Sequence, residues 1–146
     1  MKIKIFHTSR IAKLLLGSRF NTVMLFGSVF TKLGSVSEKT KLHEETHAEQ
    51  WLDCVLLGLL LDIAIYLALA IFGFSSPWFG LLLVFPFFLF YILYGLEWSY
   101  LMIFEKRTAF DAYIHLSFEK QARERAKSWN LPEKPKYQSF AWWSLK

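Results

Sequence analysis

This 146-residue sequence predicts a mainly α membrane protein, with two transmembrane helices in a hairpin and a small α+β part at the cytoplasmic face. Three observations carry that expectation. Hydrophobic residues make up 54% of the chain, above the roughly 45–50% usual in soluble domains, which excludes a disordered or collagen-like polypeptide. The net charge is +5, but the 17 lysines and arginines are unevenly spread: eight lie up to Lys41, nine from Lys106 onward, and none in the 64 residues between. A His-Glu-x-x-His motif, His43 to His47, stands just before the first long apolar run. The length fits one domain. It divides into 1–50 (strands and motif helix), 51–104 (transmembrane hairpin) and 105–146 (a later helix and a basic aromatic tail).

The elements follow in order. Ile11 to Leu16 is a short amphipathic run interrupted by Lys13. It is too short for a secretory signal, no small-residue cleavage site follows, and it suits a membrane surface. Phe20 to Lys32 is rich in β-formers around Gly27 and predicts a hairpin. Ser35 and Glu38 have capping-box spacing, and no Gly or Pro intervenes before Gly58. One helix should therefore carry the motif and run on into the first span.

That span is Leu52 to Phe74, 23 residues whose only charges are Asp53 and Asp62. As a helix it would be roughly 35 Å long, against about 30 Å of bilayer core. Ser75, Ser76 and Pro77 break the pattern, and Trp78 to Leu96 adds 19 uncharged residues, with apolar character resuming past Glu97 to Phe104. Both stretches are apolar all round, unlike a surface helix. Pro86 should kink the second. Trp51, Trp78, Trp98 and Tyr100 fall where rings prefer the headgroup level. Basic residues flank only the outer ends, which places both termini in the cytoplasm and the chain, multi-pass, in the inner membrane.

Beyond the hairpin, Ser117 is a suitable N-cap for a helix with Glu119 in its first turn. The tail interleaves Trp129, Phe140, Trp142 and Trp143 with lysines, a composition suited to anionic headgroups of the bilayer. No nucleic-acid partner is expected of a membrane-tethered chain. The single cysteine, Cys54, excludes an internal disulfide and reads as a small lipid- or helix-facing residue. Asp53 and Glu97 lie close enough to the interface to be solvated. Asp62 is deeper, and a polar intramembrane site and simple helix–helix hydrogen bonding, with Glu97 as one partner, stand as equal readings.

The motif carries the chemistry. His43 and His47 are four residues apart, on one helical face, so both imidazoles can bind one Zn2+ ion. Glu44 can reach a metal-bound water as general base. Asp53, six residues past His47, would be turned about 240° away on a continuous helix and is excluded as third ligand. Asp111, His115, Glu119 and Glu124 remain. A hairpin returns the chain to the membrane face it left, which brings these residues to the motif. Glu124 sits in a charge run with Lys120, Arg123, Arg125 and Lys127 and reads as solvated. Tyr113 or His115 could stabilise an oxyanion.

Extended through Gln50, the motif (HExxHxxQ, His43 to Gln50) resembles that of gluzincin-type zinc metallopeptidases, in particular small bacterial integral membrane proteins. Glu119-Lys120-Gln121-Ala122 is similar to the E-x-x-A segment that supplies the third ligand in that class. Phe20 to Lys32 resembles the strand pair whose edge holds extended substrate by main-chain pairing. The resemblance implies a zincin-like α+β part, with His43, His47 and Glu119 as zinc ligands and Glu44 as catalytic base. It further implies peptide-bond hydrolysis of a protein or peptide substrate. It departs at Lys120 and Gln121, where many such families place acidic residues. The alternative is a non-catalytic membrane adaptor, or a complex subunit, that retains a zincin-like helix.

Overall fold

The computed structural model describes residues 3–18, 20–74 and 77–144. β1 (Lys4–Phe6) leads through α1 (Arg10–Leu15) into a hairpin of β2 (Thr22–Leu25) and β3 (Ser28–Thr31). The strand order is β1-β3-β2, with β1 parallel and β2 antiparallel to the central β3, so β2 is an edge. The expected hairpin turns at Phe26 and Gly27, whose φ values of 48° and 72° supply the two left-handed residues that a two-residue turn requires. β1 was not expected; three residues carry almost no periodic signal. Of α1, Ala12 is buried while Leu14 and Leu15 face outward.

α2 (Glu38–Ile71) is one uninterrupted helix of 34 residues. Its cap is Ser37 rather than Ser35: the Ser37 hydroxyl accepts from the Thr40 N–H at 3.1 Å, the third helical position, which Ser35 is too far back to serve. The first part of α2, to Trp51, is charged; the remainder, Leu52 to Ile71, is the apolar arm. Gly73, with φ 69°, follows its C-terminus.

The second arm begins as a 3-10 helix (Pro77–Val84) and becomes α3 (Phe85–Ile103). Pro86 therefore does not kink a helix midway. It is the second residue of α3, where its missing N–H removes no helical bond, and the change of pitch falls there. The arms pack closely: a Cβ on Gly58 would lie 2.6 Å from the Pro86 Cα. Two helices are thus long and apolar enough to cross a membrane, α2 and the segment Phe79–Ile103. Leu60, Leu67 and Ile71 on the first, and Leu96 and Ile103 on the second, are all more than half exposed. Trp51 donates to the Phe87 carbonyl and Trp98 to the Ala109 carbonyl, each at 3.0 Å, while Tyr100 is exposed. Ser75, Ser76 and the Trp78 ring lie outside the described residues.

α4 (Ala109–His115) is capped by Thr108, and α5 (Ser117–Ala126) follows at once. Ser117 is the first residue of α5 and not its cap. Its N–H and hydroxyl both donate to the Glu97 carboxylate, at 3.0 and 2.7 Å. Glu97 is thereby engaged with α5 rather than merely solvated. Asp53 is also not solvated: 6% exposed, it accepts from the Tyr137 hydroxyl and the Phe140 N–H.

The C-terminal segment is consequently no free headgroup arm. It folds back and ends in a 3-10 turn (Ala141–Ser144) that buries Trp142 in the core, leaving Trp129 and Trp143 exposed. That core joins Met24 and Val29 of the sheet to Ala48, Cys54, Leu89, Phe90, Phe118 and Trp142, so Cys54 faces helices. Asp62 is 2% exposed, and neither carboxylate oxygen has a hydrogen-bond partner among the described residues.

Candidate metal centre

His43 and His47 lie one turn apart on α2, and the antiparallel return of α3 places α5 against that face. Glu119, 3% exposed in the first turn of α5, points at both rings. Its Oε1 lies 3.2 Å from His47 Nε2 and its Oε2 lies 3.4 Å from His43 Nε2, while the two Nε2 atoms are 3.1 Å apart. Ligands on a tetrahedral metal with bonds of about 2.0 Å are about 3.3 Å from one another. The spacing and the donor set, two imidazole nitrogens and a carboxylate, therefore fit a metal ion. The His43, His47 and Glu119 cluster could hold one.

His47 is aimed by Gln50. The Gln50 amide donates to the Phe118 carbonyl at 3.0 Å and to Gln121 Oε1 at 2.7 Å, which turns its Oε1 toward His47 Nδ1 at 2.8 Å. An acceptor there places a ring proton on Nδ1 and turns Nε2, the nitrogen that a metal would take, toward Glu119. Gln121, which stands shortly after Glu119 where many gluzincin families have an acidic residue, thus supports the His47 ring through Gln50. Arg125, paired with Glu49, ties α5 to α2 one turn further on.

Burial disfavours the charged form of Glu119, but the His47 and His43 rings outweigh it and hold the carboxyl well below the usual range. The same pairing acts on His47: burial opposes its charge, Glu119 more than compensates, and its pKa rises to about 9. Glu44 is pushed up by burial, partly offset by His47 and His43. It is 7% exposed and lines a cavity of about 610 Å3 together with His43, His47 and Glu119. The walls are apolar and aromatic, with Phe20, Met24, Phe90, Trp98 and Phe110 among them.

Of the two oxyanion candidates, Tyr113 lines this cavity and His115 does not. His115 Nδ1 is held by the Asp111 carbonyl at 2.8 Å, and the ring faces a separate groove beside Lys120 and Trp143. Asp111 pairs with Arg107, and Glu124 with Lys127, so neither competes with Glu119. Burial and then Glu119 push the Tyr113 hydroxyl up, so it remains a neutral donor. Sequence reasoning missed Tyr94, whose hydroxyl donates to Glu119 Oε1 at 3.0 Å. Within an aromatic run on α3 nothing in its neighbours distinguishes it. No family model, curated protein or solved structure matches the chain.

Proposed function

We propose that this chain is a membrane-embedded, zinc-dependent metallopeptidase that hydrolyses peptide bonds at the cytoplasmic face of the inner membrane. The observation that carries the reading is the convergence of His43, His47 and Glu119 within 3.4 Å of one another, beside Glu44 on one cavity wall. Two imidazoles, one carboxylate and an open side favour zinc in a catalytic rather than a closed structural site. Bound there, zinc supplies a Lewis acid for the scissile carbonyl and makes water a nucleophile near neutral pH.

The protein's own residues do the rest. Glu44 takes the proton of the attacking water and passes it to the departing amine, and a carboxyl raised by burial suits both transfers. Tyr113 lines the same cavity, its hydroxyl bonded to Glu119, and would turn that donor to the oxygen that gains charge. Tyr94 and Gln50 orient Glu119 and His47. β2 supplies a main-chain edge. The Lys32 N–H bonds the Asn21 carbonyl at 2.9 Å, so by alternation Val23 and Leu25 also bond β3, and the N–H and C=O groups of Thr22 and Met24 point away from it. An extended peptide could pair with them.

The membrane assignment rests on the two apolar helices and their uncovered Leu and Ile side chains. The orientation rests on the absence of Lys and Arg between residues 41 and 106. Zinc analysis of purified wild type and Glu44→Gln tests the reading. About one zinc per chain is expected in both, with cleavage of candidate membrane substrates in the wild type only. Absence of zinc from the wild type would overturn the site. Zinc without Glu44-dependent cleavage would favour the adaptor.

A further inference from the structure

Asp53 is the one acidic residue of α2 that the site leaves unused yet the fold buries beside a tail. Burying a carboxylate is costly unless hydrogen-bond donors reach it. Here both donors come from the C-terminal segment: the Tyr137 hydroxyl at 2.6 Å and the Phe140 N–H at 3.0 Å, both to Oδ2. Phe140 has a φ of 58°, a left-handed conformation uncommon for a side chain of its size, and its N–H is the group Asp53 holds. This turn swings Trp142 inward. Its ring stacks on Phe118 with centroids 4.2 Å apart and planes inclined by 22°. Phe118 immediately precedes Glu119. The Trp142 Nε1 has no hydrogen-bond partner among the described residues, so stacking rather than its N–H holds the indole there.

A second line of contact runs from the same segment to His47. The Gln138 carbonyl, which can only accept, takes the Gln121 amide N–H at 2.9 Å. Gln121 must then present its oxygen to Gln50, at 2.7 Å, and Gln50 must present its own oxygen to His47 Nδ1. The Gln138 carbonyl thus fixes the direction of the Gln121 amide, and Gln121 together with the Phe118 carbonyl fixes that of Gln50 and so the proton on His47 Nδ1.

We propose that Tyr137–Trp142 is a clamp that sets the two buried ligands from behind, Glu119 through Trp142 and Phe118, and His47 through Gln138, Gln121 and Gln50, with Asp53 as its anchor. The proposal rests on the metal site of the preceding section but not on its peptidase activity. Asp53, Gln121 and Trp142 are positioning residues: none lines the cavity. The segment acts on the site without entering it, so its detachment would weaken metal binding and leave the cavity open.

The test is Co2+ titration and Zn2+ competition on the full chain in detergent. Asp53→Ala and Trp142→Ala should each lose about 10- to 100-fold in affinity and shift the Co2+ absorption bands, the range found for partners that orient metal ligands. Asp53→Asn keeps both acceptor contacts and Trp142→Phe keeps the stack, so both should stay near wild type. A merely structural role would not make affinity follow that pattern. Gln121→Met leaves the clamp's anchor intact and cuts only the relay to His47. It should also bind more weakly, and it serves if the alanine variants do not fold. Wild-type affinity in the alanine variants or in Gln121→Met would overturn the clamp. A wild type that binds no metal would overturn both the clamp and the metal site. Asp53-dependent binding in a protein that cleaves nothing would support the clamp and overturn the peptidase alone.

Discussion

Gln50 Oε1 and His47 Nδ1 lie 2.8 Å apart on one face of α2, and Gln50 is fully buried. Its amide also bonds α5 at two points, so one side chain aims a ligand and fastens the helix that brings the next. Gln50→Leu should reduce zinc affinity by about 10- to 100-fold. Gln50→Glu keeps an acceptor for His47 but loses the donors to Phe118 and Gln121, and should fall between. Competition against a chelator of known affinity ranks the three proteins, and equal affinities would show that His47 needs no orienting partner.

The metal-free protein should have its own pH signature. His47 is raised to about 9 from an ordinary 6.5, so its contribution is complete below 6.5 and is lost as pH rises through 9. Glu119 is depressed, so its contribution is present above the ordinary 4.5 and is lost in acid. Glu44, raised by burial, destabilises the fold as it ionises, with the same sign as His47. Metal-free melting temperature should therefore peak between about pH 4.5 and 6.5 and fall toward 9. Zinc requires His47 without its extra proton, so zinc affinity should instead climb over that interval. A metal-free melting temperature that stays level from pH 6 to 9 would sink the linkage.

Gly58 admits Pro86 at a distance no side chain permits. Gly58→Ala must push the arms apart, and it should destabilise the hairpin by about 1–3 kcal/mol. Thermal unfolding in detergent measures this. Unchanged melting would mean that the arms do not pack as described.

The edge strand offers a separable test of substrate pairing. Proline is tolerated in an edge strand where its missing N–H faces outward. Thr22→Pro should therefore keep the fold and the bound zinc while raising KM for an extended peptide several-fold. An unchanged KM would exclude pairing at that N–H.

How much of this was legible beforehand depended on the range of the interaction. His43, Glu44 and His47 were readable because helical spacing alone puts them together, and Glu119 because a hairpin must bring the chain back. Asp53 and Glu97 were read as solvated because their donors, Tyr137, Phe140 and Ser117, come from 84, 87 and 20 residues away. Spacing along a helix does not reveal such partners. His115 was placed near the site by proximity in sequence, but α4 turns its ring toward another groove. Nor could the run distinguish the 3-10 pitch before Pro86 from α pitch, since a stretch that is apolar all round carries no period to tell them apart.

One unbroken backbone carries both histidines and the whole apolar arm of α2. From His47 to Leu52 the rise is about 7–8 Å, and no hinge lies between them to vary it. With Leu52 at the hydrocarbon boundary the site would stand at a set altitude above it, and under the proposed peptidase reading it would act as a ruler, cleaving only a bond brought to that height. One residue inserted below His47 would lift the histidines by about 1.5 Å and swing them by about 100°. The gauge and the ligand set would then be lost together.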